Sequence, residues 1–331
     1  MGDRISSERD IVDRFLAQDL VRVTERAAVS AARWRGRGDE RAADGAAVDV
    51  MRRELNRLSM DGTVVIGEGE RDEAPMLFIG ERVGTGEGPQ LDIAVDPLEG
   101  ATLCAKGLPG SIAVLAVSQA GTLLKAPDVY MDKIAVGPGY PAGIVDLDRS
   151  PEDNIRALAT AKGVQPADIT VSVLDRPRHA ELIAACRRVG VSLRLLTDGD
   201  IAGVIMTAQP GENRVDLHLG SGGAPEGVLA AGALRCVGGQ MQGRLILDKP
   251  EKRQRAVGMG ILEPARKYDM TEMAAGEVVV VASGVTDGPM LQGVLFGGVT
   301  IETETVIYRS SSGSVRRIRA QHRDLAKFRL D

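Results

Sequence analysis

The stretch ITVSVLDRPRHAELIAACRRVGVSLRLL, residues 169–196, decides the fold class. Two short runs, Ile169 to Leu174 and Val191 to Leu196, read as strands. Between them, from His179, apolar residues recur at helical spacing. The same rhythm continues on both sides, with a helix from Glu152 before it and a helix from Asp200, a strand Val215 to Leu219 and a helix from Pro225 after it. Strands alternating with helices predict right-handed crossovers and a largely parallel sheet, an α/β fold. Upstream of Pro151 the chain is richer in strands. Residues 7–35 read as a helix capped by Ser6 or Ser7 and ended at Gly36-Arg37-Gly38, and Asp44 caps a second helix through Leu58. Strands follow at Thr63 to Ile66, Met76 to Ile79, Leu91 to Val95, Ile112 to Val117 and Ile134 to Val136, each closed by Gly, Pro or Asp. Val278 to Ala282 is a further buried strand, and Thr300 to Tyr308 with Ser314 to Ala320 form a hairpin about Ser311-Ser312-Gly313. The change of rhythm at Pro151 predicts two lobes, 1–150 and 151–331.

Composition narrows the partners. The 331 residues are 44% hydrophobic and 26% charged, the balance of a soluble globular enzyme, and the net charge of -5 excludes nucleic-acid binding by bulk electrostatics. Cys104, Cys186 and Cys236 are far apart and lack CxxC spacing, so neither a disulfide framework nor a zinc knuckle is indicated. No apolar run has the length of a membrane span, and the residues around Asp3, Arg4 and Glu8 lack a signal-peptide core, which together predict a cytoplasmic protein without membrane partners. His179, His218 and His322 have no metal spacing and read as structural or surface histidines.

The chemistry-bearing residues form three groups. Residues 61–99 hold ten acids against Arg71 and Arg82, an excess that costs stability unless cations neutralise it. Among these acids, Glu68, Glu70 and Asp72 follow one strand at i, i+2 spacing, which would place them on one side, with Gly67 and Gly69 letting a ligand approach closely, while Asp96 and Glu99 follow the strand Leu91 to Val95 on either side of Pro97. Oxygen donors presented this way suit Mg²⁺ or Mn²⁺. The second group, Gly220-Ser221-Gly222-Gly223-Ala224-Pro225-Glu226, reads as a strand-to-helix turn whose free N–H groups suit phosphate, with Glu226 a further metal oxygen. The third, Asp175-Arg176-Pro177-Arg178-His179, offers two guanidiniums suited to bidentate phosphate contact. GxGxxG, P-loop and GxSxG signatures are absent.

These blocks, in this order, resemble the class II, GlpX-type fructose-1,6-bisphosphatases of the lithium-sensitive sugar phosphatase superfamily. The resemblance runs along nearly the whole chain and includes Gly36-Arg37-Gly38-Asp39, Ala43-Asp44-Gly45, Val65-Ile66-Gly67-Glu68-Gly69-Glu70, Asp92-Ile93-Ala94-Val95-Asp96-Pro97-Leu98-Glu99-Gly100, Tyr130-Met131, Arg176-Pro177-Arg178-His179, Asp198-Gly199-Asp200 and Gly222-Gly223-Ala224-Pro225-Glu226-Gly227. It implies a two-lobed layered α/β/α/β/α sandwich of the sugar phosphatase type, with an N-terminal metal-binding lobe and a C-terminal substrate-binding lobe. It implies Mg²⁺ or Mn²⁺ held by Asp44, Glu68, Asp96, Glu99, Glu226 and the Leu98 carbonyl. Tyr130, Arg176, Arg178, Asp198, Asp200, Gly222 and Gly223 would hold the sugar bisphosphate, and Gly100, Ala101 and Thr102 the scissile phosphate. Asp72 or Glu70 would orient or deprotonate the attacking water.

The activity implied is release of the 1-phosphate from fructose 1,6-bisphosphate, with sedoheptulose 1,7-bisphosphate second, in a homo-oligomer, dimer or tetramer. Two positions depart from the family pattern. Ala101 stands where the family has a threonine whose hydroxyl positions the water, and Glu40 where it has a lysine. At this point a weakened catalyst, a regulatory protein that binds sugar phosphates without turnover, and a phosphatase of another sugar phosphate all remain open.

Overall fold

The computed structural model describes residues 16–69, 75–209, 215–261, 263 and 265–328. They divide into two compact units, one comprising the chain up to Leu123 and from Gly276 onward, the other Leu124–Ala275. The division is discontinuous, whereas the change of rhythm at Pro151 suggested a single boundary at residue 150. That rhythm marks where crossover helices begin, which is inside the second unit.

The first unit opens with helix α1 (Ala17–Ala32), so the described part of the helix expected over 7–35 starts at Ala17; its Ser6 or Ser7 cap lies outside the described residues. Helix α2 (Glu40–Leu55) is capped by Asp39, whose carboxylate accepts the Ala42 N–H at 2.9 Å. Asp44, the cap expected from the sequence, instead lies in the helix interior, because Asp39 takes that role and the helix begins earlier. Exposed Glu40 is its first residue, where negative charge suits the helix dipole. Ala43, Ala47, Met51 and Leu55 recur every fourth residue and bury one stripe of α2 with Leu20, Val23 and Ala27 of α1.

The first unit continues with β1 (Asp61–Ile66), β2 (Arg82–Val83), β3 (Gln90–Glu99), helix α3 (Ala101–Lys106) and β4 (Ile112–Gln119). Met76 to Ile79 is a turn rather than the expected strand: Leu77 takes φ 53 and its carbonyl accepts the Glu68 N–H, so the segment folds back instead of extending.

The second unit runs through β5 (Tyr130–Val136), α4 (Pro151–Lys162), β6 (Thr170–Leu174), α5 (Ala180–Val189), β7 (Ser192–Leu196), α6 (Asp200–Ile205) and β8 (Leu217–Gly223). It closes with α7 (Ala224–Cys236), β9 (Gln240–Leu245), α8 (Pro250–Gly258), β10 (Lys267–Asp269) and α9 (Met270–Met273). Its six-stranded sheet has the order β10-β9-β5-β8-β6-β7. The sheet is mixed, not largely parallel. Strands β6, β7 and β8 pair in parallel as the alternation predicts, but β5 pairs antiparallel with both β8 and β9, and β10 antiparallel with β9. Two antiparallel steps leave β9 running with β8, so β5 is a reversed strand set among crossover-linked ones. Ile134 and Val136 join Ile155 and Leu158 of α4 and Ile183 of α5 in one core. The alternate residues Met131 and Lys133 face α7, where a side chain at Gly227 would meet them. Helices therefore cover both faces of this sheet.

The chain then returns to the first unit with β11 (Val278–Gly284), β12 (Leu295–Phe296), β13 (Ile301–Arg309) and β14 (Ser314–His322). There the order is β12-β13-β11-β4-β3-β1-β2, with β14 paired to β13 in the expected hairpin. Every residue of β11 is buried, as its unbroken valine run suggests. The three cysteines are buried thiols, Cys104 donating to the Ala31 carbonyl and Cys236 to the Gly232 carbonyl. Among the described residues no helix is long and apolar enough to cross a membrane.

The fold also sets a pH response. His218, on β8, is fully enclosed and shares a 2.9 Å hydrogen bond between Nδ1 and the Ser172 hydroxyl. Burial pushes its pKa down to about 4, with the neighbouring Lys133 adding to the effect and Asp200 opposing it. The unfolded chain binds this proton near pH 6.5 and the folded one only near 4, so stability falls as pH drops through that window and levels off below it. The expected loss is on the order of 3 kcal/mol between pH 7 and 4. Urea unfolding across that range should show it as the difference between the parent and His218→Gln, which cannot take up the proton.

Candidate active site

In the first unit, Leu91, Ile93, Ala94 and Val95 bury the body of β3, and the acids come at its end. Pairing with β4 runs in register to Asp96 opposite Val114 and then slips, so that Glu99 rather than Leu98 stands opposite Ile112. In an even strand, residues three apart point to opposite faces; one inserted residue restores Asp96 and Glu99 to the same face. A carboxylate oxygen of each lies within 4.8 Å of the other. Pro97, which has no N–H for the ladder, sits within the slip. The Leu98 N–H donates to Asp96 Oδ1 at 3.2 Å, and the Glu99 carbonyl accepts the Ser111 hydroxyl at 3.0 Å. Asp92 on the same strand is a structural acid, its Oδ2 accepting the Thr122 and Leu123 N–H groups.

Strand β1 pairs in parallel with β3, Ile66 opposite Ala94, so half-buried Glu68 leaves the sheet at the same carboxyl end as Asp96, the usual end for ligands. Asp44 is half-buried inside α2, and burial raises its pKa. Gly100 takes φ 77, the left-handed turn that lets the chain pass from β3 straight into α3. Ala101 and Thr102 are the first two residues of α3, both half-buried, and the first-turn N–H groups of any helix lack intrahelical acceptors. Leu98 is buried. Glu70 and Asp72 lie outside the described residues.

In the second unit the end of β8 meets the start of β5, with Gly223 opposite Tyr130 and Gly222 opposite Met131. Both glycines are dictated by crowding from carboxylates. A Cβ at Gly222 would lie 1.9 Å from Asp200 Oδ2, and one at Gly223 1.8 Å from Glu226 Oε2. Asp200, buried at the start of α6, receives the Lys133 ammonium at 2.5 Å. Glu226 stands in the first turn of α7, one residue after Pro225. Its Oε2 is sealed from solvent with no hydrogen-bond partner among the described residues. Burial raises its pKa, and the Lys133 ammonium works against that rise.

The two arginines flank Pro177 at a single turn of 3-10 helix, Pro177–His179. Arg176 donates to Asp198 at 2.8 Å and to the Thr197 carbonyl at 2.5 Å. Arg178 donates to the carbonyl and hydroxyl of Ser221 and lies 4.6 Å over the ring of exposed Tyr130. Within this unit the structure thus joins Tyr130 with Arg178, Arg176 with Asp198, and Asp200 with Gly222.

Sequence reasoning missed Lys133, Ser221 and the part played by His179. A lysine next to buried Met131 and Ile134 on a central strand was the available signal, because a buried ammonium requires a carboxylate partner.

The family model described as "Bacterial fructose-1,6-bisphosphatase, glpX-encoded" matches residues 14–322. "Fructose-1,6-bisphosphatase 1 class 2" of Escherichia coli strain K12 is 45% identical over 323 residues, covering 93% of this chain and 95% of the relative. "Fructose-1,6-bisphosphatase class 2" of Shigella flexneri is similar to the same extent, 45% over 323 residues. With the acids gathered at the end of β3 and Arg178 held over Tyr130, these matches identify the chain as a member of the glpX-encoded bacterial fructose-1,6-bisphosphatase family.

Proposed function

We propose that this protein is a metal-dependent phosphatase that releases the 1-phosphate of fructose 1,6-bisphosphate, leaving fructose 6-phosphate, and that it also accepts sedoheptulose 1,7-bisphosphate. The observation that carries the reading is the family match across residues 14–322. Membership at this extent favours turnover over the binding-only alternative.

The donors suit a hard divalent cation, Mg²⁺ or Mn²⁺: all are carboxylate or carbonyl oxygens, and Glu226 Oε2 is a buried anionic atom without a hydrogen-bond donor among the described residues. Asp44, Glu68, Asp96, Glu99, Glu226 and the Leu98 carbonyl would each serve as a ligand to such cations. When bound, such a cation supplies positive charge against the phosphate and makes a water acidic enough to attack. The remaining roles fall to the chain's own groups. Glu70 or Asp72 accepts the proton of the attacking water and orients it. The N–H groups of Gly100, Ala101 and Thr102 stabilise charge on the scissile phosphate. Tyr130, Arg176, Arg178, Asp198, Asp200, Gly222 and Gly223 hold the sugar and its second phosphate, which must stay fixed while the first is displaced. The enzyme works in the cytoplasm as a homo-oligomer, a dimer or tetramer.

The test is phosphate release from both bisphosphates and from sugar monophosphates with Mg²⁺ or Mn²⁺. Cation-dependent release that prefers a bisphosphate is expected. Equal rates on mono- and bisphosphates, or no release by either the parent or its Ala101→Thr variant, would sink the reading.

A further inference from the structure

Arg178 is exposed at the rim of its turn, and a free arginine side chain would lose rotamer freedom on gripping a phosphate. Here it is already held, by Ser221 on one side and the Tyr130 ring on the other. The position of Arg178 is therefore set by Ser221, and that of Ser221 by the next residue along the turn. His179 is buried, 4% exposed, between the ends of two strands. Its Nδ1 lies 2.7 Å from the Leu174 carbonyl at the end of β6, a contact only an Nδ1–H can make. Its Nε2 is 2.8 Å from the Ser221 backbone nitrogen on β8, which makes Nε2 the acceptor. The Ser221 hydroxyl, accepting from Arg178 Nε at 3.1 Å, keeps its own proton for Nε2, also at 3.1 Å. One neutral tautomer satisfies every contact. Gly220, at φ 135, passes directly over the ring, where a Cβ would stand 3.2 Å from both Cε1 and Nε2.

We infer that His179 is a positioning residue for substrate binding: it ties Ser221 to the end of β6 and so holds Arg178 over Tyr130, aimed at the second phosphate. His179 itself touches no substrate. The inference rests on the reading of Arg178 as a phosphate ligand, and the experiment separates the two.

Steady-state kcat and KM for fructose 1,6-bisphosphate would be measured for His179→Asn, His179→Gln, Ser221→Ala, Arg178→Ala and the double variant Arg178→Ala/His179→Asn. Asparagine reaches the Nδ1 position and keeps the Leu174 contact but loses the acceptor for Ser221. It should raise KM about tenfold, one hydrogen bond's worth, with kcat changed less than twofold. Glutamine, whose amide oxygen reaches the Nε2 position, should recover most of that affinity. Ser221→Ala should shift KM in the same direction by a smaller factor, and it carries the test if His179→Asn does not fold. In the Arg178→Ala background, His179→Asn should add nothing to KM. An unchanged KM in both His179→Asn and Ser221→Ala, or an equal rise with and without Arg178, overturns the relay. An unchanged KM in Arg178→Ala overturns instead the assignment of that arginine to a phosphate.

Discussion

Ala101→Thr should raise kcat by about a hundredfold while leaving KM within a few-fold of the parent. Position 101 begins α3 directly after left-handed Gly100, three residues beyond the slip that turns Asp96 and Glu99 to one face. Its neighbours are therefore the groups proposed to act on the scissile phosphate, and the site is half-buried, so a hydroxyl there would be partly shielded from bulk water. Aligning an attacking water is a transition-state effect, and loss of one aligning donor typically costs about two orders of magnitude. A methyl group in its place leaves ground-state binding largely intact, hence the effect in kcat. Ala101→Val reproduces the shape of threonine without its oxygen and should stay at the parent's rate. If Ala101→Thr is no faster, the Thr102 hydroxyl already aligns the water, and Thr102→Val should then show the hundredfold loss.

The second large effect concerns Glu226. A carboxylate oxygen sealed from solvent and lacking a hydrogen-bond donor among the described residues is expensive to bury in its charged form, by several kcal/mol when unpaired. Lys133 offsets only part of this, since its ammonium is already 2.5 Å from Asp200. Glu226→Gln removes the charge at nearly constant volume. Without divalent cation the variant should melt at or above the parent's temperature. With saturating Mn²⁺ the order should reverse: the parent gains stability as RT ln(1 + [L]/Kd), and the variant gains far less. Phosphate release by Glu226→Gln should fall by about a hundredfold or more. Differential scanning fluorimetry over a Mn²⁺ titration reads the stability half independently of turnover. Equal cation-induced shifts in the two proteins would remove Glu226 from the ligand set.

Much of this was legible from local pattern. The run Leu91 to Val95, the valines of β11 and the alternation from Pro151 onward are strong because burial on both faces demands mostly apolar residues, and crossovers demand helices. What escaped depends on contacts distant in sequence. That β11 to β14 join the first sheet, and that β5 runs against its neighbours, are matters of pairing, which periodicity does not encode. Asp39 and Asp44 are equally good caps on paper; the chain chose the one that left Asp44 inside the helix. That Asp96 and Glu99 share one face depends on the register slip between them, which no local pattern in the sequence encodes. The role of His179 was hidden because its meaning lies in Ser221, 42 residues away.

The discontinuous first unit has a consequence for how the molecule is made. Strands β4 and β11 are direct antiparallel neighbours, Ser118 opposite Val278, and the second unit is inserted between them, its own two ends tied by the Leu124 N–H to the Met273 carbonyl. On the ribosome, the inserted unit emerges whole and can fold while its host is still missing half a sheet. Strand β4, almost entirely buried in the finished protein, then presents a bare apolar edge until β11 is synthesised, on the order of ten seconds or more at bacterial elongation rates. Such an edge invites pairing with another nascent chain. The yield of soluble enzyme should therefore depend on translation speed through residues 124–275 and on chaperone occupancy of β4, more than on the stability of either finished unit.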